Sequence, residues 1–317
     1  MLLLQTCRLH LCTIGILVAV SGGCGVQTWT DKEVLAVSGK SFNKERRNLK
    51  TVIVREEPKA GPPDRPTDRR FELVSYQSPV GELAAYIAKP KEVMADSTRK
   101  VPAIIWITGG DCNSIGDVWS PMSRDNDQRA GAFLEAGMIM MYPSLRGGNM
   151  NPGKREGHFG EVDDVLAATD FLAAHPNVDS SKIYLGGHST GGTLVMLVAE
   201  ATDRYQAVFA FGPVSSIDEY GGDFVYCDPK NKEELMLRSP LFWLPEVTRP
   251  LFVIEGSTGN WQSIKRMVRL NGNARIQFIR VAGHDHFSIL APATEKLASG
   301  IVRGKLDFTA ADFQNLK

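Results

Sequence analysis

The sequence predicts an α/β protein with a mostly parallel central sheet and helices on both faces. Three observations carry this. Strand-like and helix-like segments alternate along most of the chain. Several strand candidates, such as "VPAIIWITGG" and "MIMMYP", are nearly continuous apolar runs, as strands buried on both faces must be. The chain has 317 residues, of which 43% are hydrophobic and 23% charged, which suits one large domain behind an N-terminal leader.

The leader is residues 1–23. "MLLLQTCRLHLCTIGILVAVSGGCG" places Arg8 before an apolar run from Leu11 to Val20 and then small residues, the layout of a secretory signal peptide. The run is shorter than the about 20 residues that span a bilayer. Ser21-Gly22-Gly23-Cys24 resembles the bacterial lipoprotein cleavage box, with Ser21 where leucine is usual. That resemblance implies lipid on Cys24, a membrane partner through that lipid, and a place in the bacterial cell envelope. Gly25 after it, in place of aspartate, resembles lipoproteins of the outer membrane. An ordinary cleaved signal and an uncleaved anchor are the alternatives. Cys7 and Cys12 leave with the leader, so Cys112 and Cys227 remain in an oxidising compartment, where a disulfide between them is an expectation that spacing alone leaves open.

Residues 24–70 read as a tether. "KERRNLK" and "EEPKAGPPDRPTDRR" are polar and proline-broken, a composition that stays extended and builds little core, with one short strand at "TVIV". The globular domain, 71–317, opens with "FELVSY" and "GELAAYIAKP", alternating segments around the turn-like "SPVG", hence a hairpin. "VPAIIWI" is the first buried strand. Helical spacing runs from there to Ala136, and "MIMMYP" is the next strand. Val162, Val165, Leu166 and Leu172 share one helical face, with Asp163 and Asp164 in the first turn, where carboxylates suit the helix dipole. "KIYLGG" is a strand, "GTLVMLVAEA" a helix, and "QAVFAFG", "PLFVIEG" and "RIQFIRV" are three more strands. Helices fall at "NWQSIKRMVRL" and around "ATEKLASGIV".

The chemistry centres on "GGHSTGG". Gly187-His188-Ser189-Thr190-Gly191 is a Gly-x-Ser-x-Gly box, and a strand ends and a helix begins beside it. On a sharp strand–turn–helix, glycines are needed where Cβ atoms have no room, and the serine is presented at the sheet's end as a nucleophile. The Thr190 amide, at the helix N-terminus, can donate to an oxyanion. A second donor is expected after the first buried parallel strand, in "ITGGD", from Gly110 or else Asp111. The base must be a histidine near the C-terminus. "RVAGHDHFSIL" offers His286, the preferred candidate, and His284; His188 should point away into loop contacts. Ser189 would then attack an ester or amide, His286 would shuttle the proton, and water would resolve the acyl-enzyme. No cofactor and no metal are expected. Lys plus Arg and Asp plus Glu are both 36, and without a basic stripe nothing points to nucleic acid.

With these residues in view, the chain from Phe71 onward resembles the α/β-hydrolase fold, and specifically the catalytic domain of the prolyl oligopeptidase family and its dienelactone-hydrolase-like relatives. "DDVLAATDFLAAHPNVDSSKIYLGGHSTGG" is similar to that family's helix–strand–nucleophile block, "RSPLFWLPEVTRPLFVIEG" to its "SP…PLLLIHG" block, and "YPSLRGG", with Arg146, to its Arg-Gly loop. There are two departures. The family's oligopeptidases carry a β-propeller before the catalytic domain, and the tether is too short for even two blades at about 40 residues each. An esterase acting on a small-molecule ester is therefore favoured over a peptidase acting on a short peptide. The family's "HGxxD" becomes "EGSTG", with Glu255 for the histidine and Gly259 for the aspartate. The acid is thus expected at Glu255, with Asp218 or Glu219 after the preceding strand as alternatives, or no acid at all. The last case would make the protein a non-catalytic binding scaffold.

Overall fold

The computed structural model describes residues 29–316; the expected leader, 1–23, and the expected lipid site at Cys24 lie outside them. One eight-stranded sheet organises the chain in the order β1-β2-β4-β3-β5-β6-β7-β8. Its strands are β1 Phe71–Ser78, β2 Gly81–Ala88, β3 Val101–Ile107, β4 Ile139–Pro143, β5 Val178–His188, β6 Val208–Phe211, β7 Leu251–Gly256 and β8 Ile276–Val281. The hairpin β1–β2 is antiparallel and closes at Ser78↔Gly81, β2 pairs antiparallel with β4, and every later pairing is parallel. This is the α/β-hydrolase arrangement, as the sequence predicts.

Strand alternation divides the core between the two faces. Along β3, Ile105 and Ile107 point into one apolar cluster, with Leu185 and Val195. Ile104 and Trp106 point into the other, with Phe209, Phe252 and Leu297. The helices are α1 Asp31–Leu35, α2 Phe42–Asn48, α3 Lys91–Ala95, α4 Ala132–Glu135, α5 Glu161–Ala173, α6 Thr190–Ala201, α7 Lys232–Met236, α8 Trp261–Leu270 and α9 Leu290–Val302. Helices α5 and α6 cover the first face, while α4 and α9 cover the second. Burial of Val162, Val165 and Leu172 on α5 follows its predicted face.

Three expectations change. The segment from Trp29 to Arg70 is not a free tether: α1 and α2 form in it, and Trp29, Val34, Val37 and Phe42 join the core. Trp29 meets Phe242 edge-on at 4.7 Å and Phe42 meets Trp243 at 5.0 Å. Its charges pair with the domain, Arg46 with Asp163 at 3.0 Å and Lys232 with Glu33 at 2.7 Å. Only a few apolar residues anchor this segment, so its overall polarity hides them. "TVIV" makes a single bridge, Ile53 to Cys227, rather than a strand. Between β3 and α4 the chain is mostly irregular, with a 3₁₀ turn at Arg124–Asn126. Asp117 holds the Trp119 and Ser120 amides in a turn, and Pro121 has no N–H to continue a helix.

Cys112 and Cys227 are free and buried. The Cys112 thiol lies 3.6 Å from His158 Nε2, while Cys227 lies in the bridge with Ile53, so each has its own surroundings and no disulfide forms.

Candidate active site

The parallel strands end in register, which brings four loops together at the sheet's C-terminal edge. His188 pairs with Phe211, Phe211 with Ile254, and Gly256 with Val281. Ser189 follows β5 and is the N-cap of α6, with φ 55° and ψ −117°. A left-handed non-glycine residue stores strain, and here that strain presents the side chain at the tip of a tight elbow. A Cβ at Gly187 would lie 2.6 Å from the Gly191 carbonyl oxygen, and one at Gly191 would lie 2.3 Å from that of Ile107. No side chain fits at either glycine, as the spacing of the box implies.

Beyond β8, His286 places Nδ1 2.9 Å from Glu255 Oε2. A carboxylate only accepts, so Nδ1 carries the proton and Nε2 is left as the basic nitrogen. Glu255, at the end of β7, is fully buried. Its Oε1 accepts from the Gly256 amide at 2.6 Å, and its Oε2 also accepts from the Asn260 amide at 3.0 Å. The carboxylate is therefore fixed before the imidazole reaches it. Gly212, after β6, completes the packing: a Cβ there would lie 2.4 Å from His286 Cε1 and 2.5 Å from Glu255 Oε2.

The other candidates are engaged elsewhere. His284 directs Nδ1 to the Ser288 carbonyl at 3.1 Å and Nε2 toward that of Leu316. Asp218 accepts from Ser216, and Glu219 caps the 3₁₀ turn Ile217–Tyr220 through Ser215 and Ser216. Arg146 of the Arg-Gly loop is buried with Asp164 at 2.9 Å and Glu156 at 2.7 Å.

Thr190 opens α6, so its amide has no partner within the helix. Its hydroxyl donates to the Gly110 carbonyl at 2.9 Å, and the Cys112 amide donates to the same oxygen at 3.0 Å. Gly110 adopts φ 72°. The loop after β3 is thereby tied directly to the residue following Ser189. Arg155 holds that loop from outside, bridging Asp111 at 2.7 Å and Glu57 of the N-terminal segment at 2.7 Å.

Tyr220, a neighbour of Ser189, and His158, which lies against Cys112 in the loop after β3, had no readable signal. The Tyr220 hydroxyl meets the side chain of Thr193 at 2.8 Å and that of Ser189, and burial pushes its pKa up, so it stays a neutral phenol. His158, buried at φ 71°, has its pKa lowered to about 3 by desolvation, with Arg238 adding to it. No motif marks either one, because their positions depend on how distant loops fold back. A cavity of about 530 Å³ lies elsewhere, lined by Arg70, Arg129, Tyr142 and Glu295. Its charges are already satisfied, Arg70 by Asp68 and Glu135 and Arg129 by Asp127. Chemically, the arrangement at Ser189 suits acyl transfer: a hydroxyl at the tip of a strained elbow, a histidine of defined tautomer, a buried carboxylate behind it, and backbone donors at a helix start.

Comparison with known proteins agrees. Residues 126–288, slightly more than half of the chain, match the prolyl oligopeptidase family (peptidase S9). The dual function macrocyclase-peptidase POPB of Galerina marginata is 31% identical over 139 residues, covering 41% of this chain and 18% of that protein. Dipeptidyl-peptidase 5 of Porphyromonas gingivalis is 25% identical over 197 residues, covering 56% of this chain and 28% of that protein. The chain thus spans less than a third of either relative. The solved structure of a puromycin-hydrolyzing peptidase of Mycobacterium tuberculosis superposes with a TM-score of 0.58 at 16% identity, over 74% of this chain and 39% of the other, a likeness of fold.

Proposed function

The chain belongs to the prolyl oligopeptidase family and is a serine hydrolase; from that premise we propose that it cleaves amide bonds of short peptides through an acyl-enzyme at Ser189. His286 takes the Ser189 hydroxyl proton on Nε2 as Oγ bonds to the substrate carbonyl carbon. The oxyanion that forms is held by the Thr190 amide and by Gly110 or Asp111. His286 then gives the proton to the leaving nitrogen as the C–N bond breaks, and water, activated by the same histidine, frees the acid. Glu255 keeps the imidazole in the required tautomer and stabilises its charged form.

The observation that carries this reading is the 2.9 Å contact of His286 with the buried, doubly held Glu255 beside the strained Ser189 elbow. It also weighs against the non-catalytic scaffold, whose support was a missing acid. The preference for esters rests on the length of the segment before residue 71, but a propeller bears on the size of a substrate and says nothing of bond type. The peptidases among the relatives favour the amide. Ester hydrolysis shares every step with a better leaving group, so activated esters serve as assay substrates.

The proposal extends to place: lipid on Cys24 and anchorage in the cell envelope, supported by the box Ser21–Cys24. No helix among the described residues is long and apolar enough to cross a membrane. The test of the chemistry is a fluorophosphonate probe. Purified protein should be labelled at Ser189, Ser189→Ala should not, and peptidyl anilides of two to four residues should be turned over. Absence of labelling at Ser189 ends the reading.

A further inference from the structure

His188 immediately precedes Ser189, and its side chain packs between neighbouring loops. Its ring is almost wholly buried, and Nε2 lies 3.0 Å from the backbone carbonyl oxygen of His286. A carbonyl cannot donate, so Nε2 carries the proton and His188 is the donor. Nδ1 lies 3.3 Å from Gln128 Oε1, and a neutral ring that donates from Nε2 bonds there only with the Gln128 amide turned so that its N–H faces Nδ1. The ring centroid lies 4.4 Å from that of His286 and 5.5 Å from that of Phe287. On its other side, a Cβ at Gly109 would lie 2.9 Å from His188 Nδ1 and 3.1 Å from Ser189 Cβ.

One imidazole therefore touches three loops: the elbow that carries it, the glycine loop after β3, and the loop that carries His286. The Nε2–H has its acceptor in the His286 carbonyl, a bond that an apolar ring of the same size could not make. We propose that His188 is a positioning residue, a neutral donor that fixes the backbone of His286 relative to Ser189 and so sets the distance of proton transfer. The inference rests on the reading of Ser189, His286 and Glu255 as a triad.

Charge bears on why the donor is neutral. Burial pushes the His188 pKa far down, and the neighbouring His286 adds to this. A neutral clamp does not repel the imidazolium that forms on His286 during each turnover, whereas a lysine or arginine in the same place would. The clamp thus holds the base without opposing its charging.

The experiment compares His188→Gln, whose amide can still donate, with His188→Phe, which keeps bulk and loses the donor. Active sites are titrated with a fluorophosphonate, and turnover is expressed per titrated site. His188→Phe should lose about 10–100-fold in kcat with KM little changed, the scale of a misplaced catalytic group. His188→Gln should stay within about threefold, a rescue of the kind that restored hydrogen bonding gives. A merely structural role would lower the number of titratable sites and leave the rate per site alone. An unchanged per-site rate in His188→Phe overturns the inference, and so does a His188→Gln enzyme as slow as His188→Phe. Should His188→Phe fail to fold, ¹⁵N spectra of the wild type decide: the neutral Nε2–H tautomer from pH 5 to 8 is expected, and protonation in that range refutes it. If the wild type itself is not labelled at Ser189, the triad reading fails first, and that outcome is visible before any variant is made.

Discussion

His286 and Glu255 are joined by one hydrogen bond of 2.9 Å, and the carboxylate that accepts it has no exposure to solvent. Its other contacts, the amides of Gly256 and Asn260, come from the turn that follows β7. The acid is thus held by its own strand end. It does not depend on His286 for its position.

Loss of the charge at that position should be costly. Glu255→Gln keeps the shape but removes the carboxylate that specifies the tautomer, and kcat should fall by about 10³–10⁴, as loss of a triad acid does elsewhere. KM should change little. Asp218→Asn should stay within a few-fold of wild type, because Asp218 pairs with Ser216. Turnover of an activated ester above neutral pH measures both.

Much of this was legible in the residues. Apolar runs such as Ile104–Ile107 and Phe209–Phe211 can only be strands covered on both faces, and the glycines at 187 and 191 announce the elbow. Glu255 could be named because a strand-end position needs no knowledge of distant packing. What could not be read depends on distant contacts. Trp29 and Phe42 look like isolated apolar residues in a charged stretch until Phe242 and Trp243 meet them. Tyr220 reaches Ser189 only because the 3₁₀ turn at Ile217–Tyr220 folds back. Cys112 and Cys227 sit on loops whose separation the sequence does not encode.

Acid should destabilise the protein partly through His158. Its folded pKa, about 3, is depressed by burial below an unfolded value near 6.5. The unfolded chain therefore binds a proton that the folded chain refuses, and stability is full above that value and falls as pH drops toward 3. Between pH 6.5 and 5 one such group costs about 2 kcal/mol. His158→Asn tolerates the left-handed backbone and does not titrate. Urea unfolding at pH 7 and pH 5 should show the wild type losing about that much more than the variant.

Glu200 should act with the opposite sign. Neither of its carboxylate oxygens has a hydrogen-bond partner among the described residues, and burial, then Glu246, pushes its pKa well up. A raised folded pKa means the cost is absent below about pH 4.5 and grows as pH rises toward the folded value. Glu200→Met should therefore stabilise by about 1–3 kcal/mol at pH 8 and much less at pH 4.5. A thermal scan showing equal gains at both pH values would place the benefit in packing instead.

The anchor is tested by Cys24→Ala. The variant should fractionate as soluble protein and take up no labelled palmitate, while the wild type stays with membranes. Wild type free of palmitate would leave an ordinary cleaved signal.

The carboxylate that meets His286 comes from Glu255, four residues before Gly259. Gly259 occupies the family's aspartate position, and a Cβ there would lie 2.4 Å from Glu255 Oε1. The glutamate carboxylate fills the space that an aspartate from 259 would use, so the two acids exclude each other. Gly259→Asp alone should clash, crowd two carboxylates into one buried site, and lower both stability and turnover by at least tenfold. Glu255→Ala alone should be nearly inactive, by the argument given for Glu255→Gln. Combined, the two changes remove the clash and return a carboxylate to the turn that carries Asn260. The double variant should therefore exceed Glu255→Ala by about tenfold or more, a coupling that independent sites do not show. Additive losses in the double variant, with kcat no better than Glu255→Ala, would mean that the position of the acid is not interchangeable along this turn.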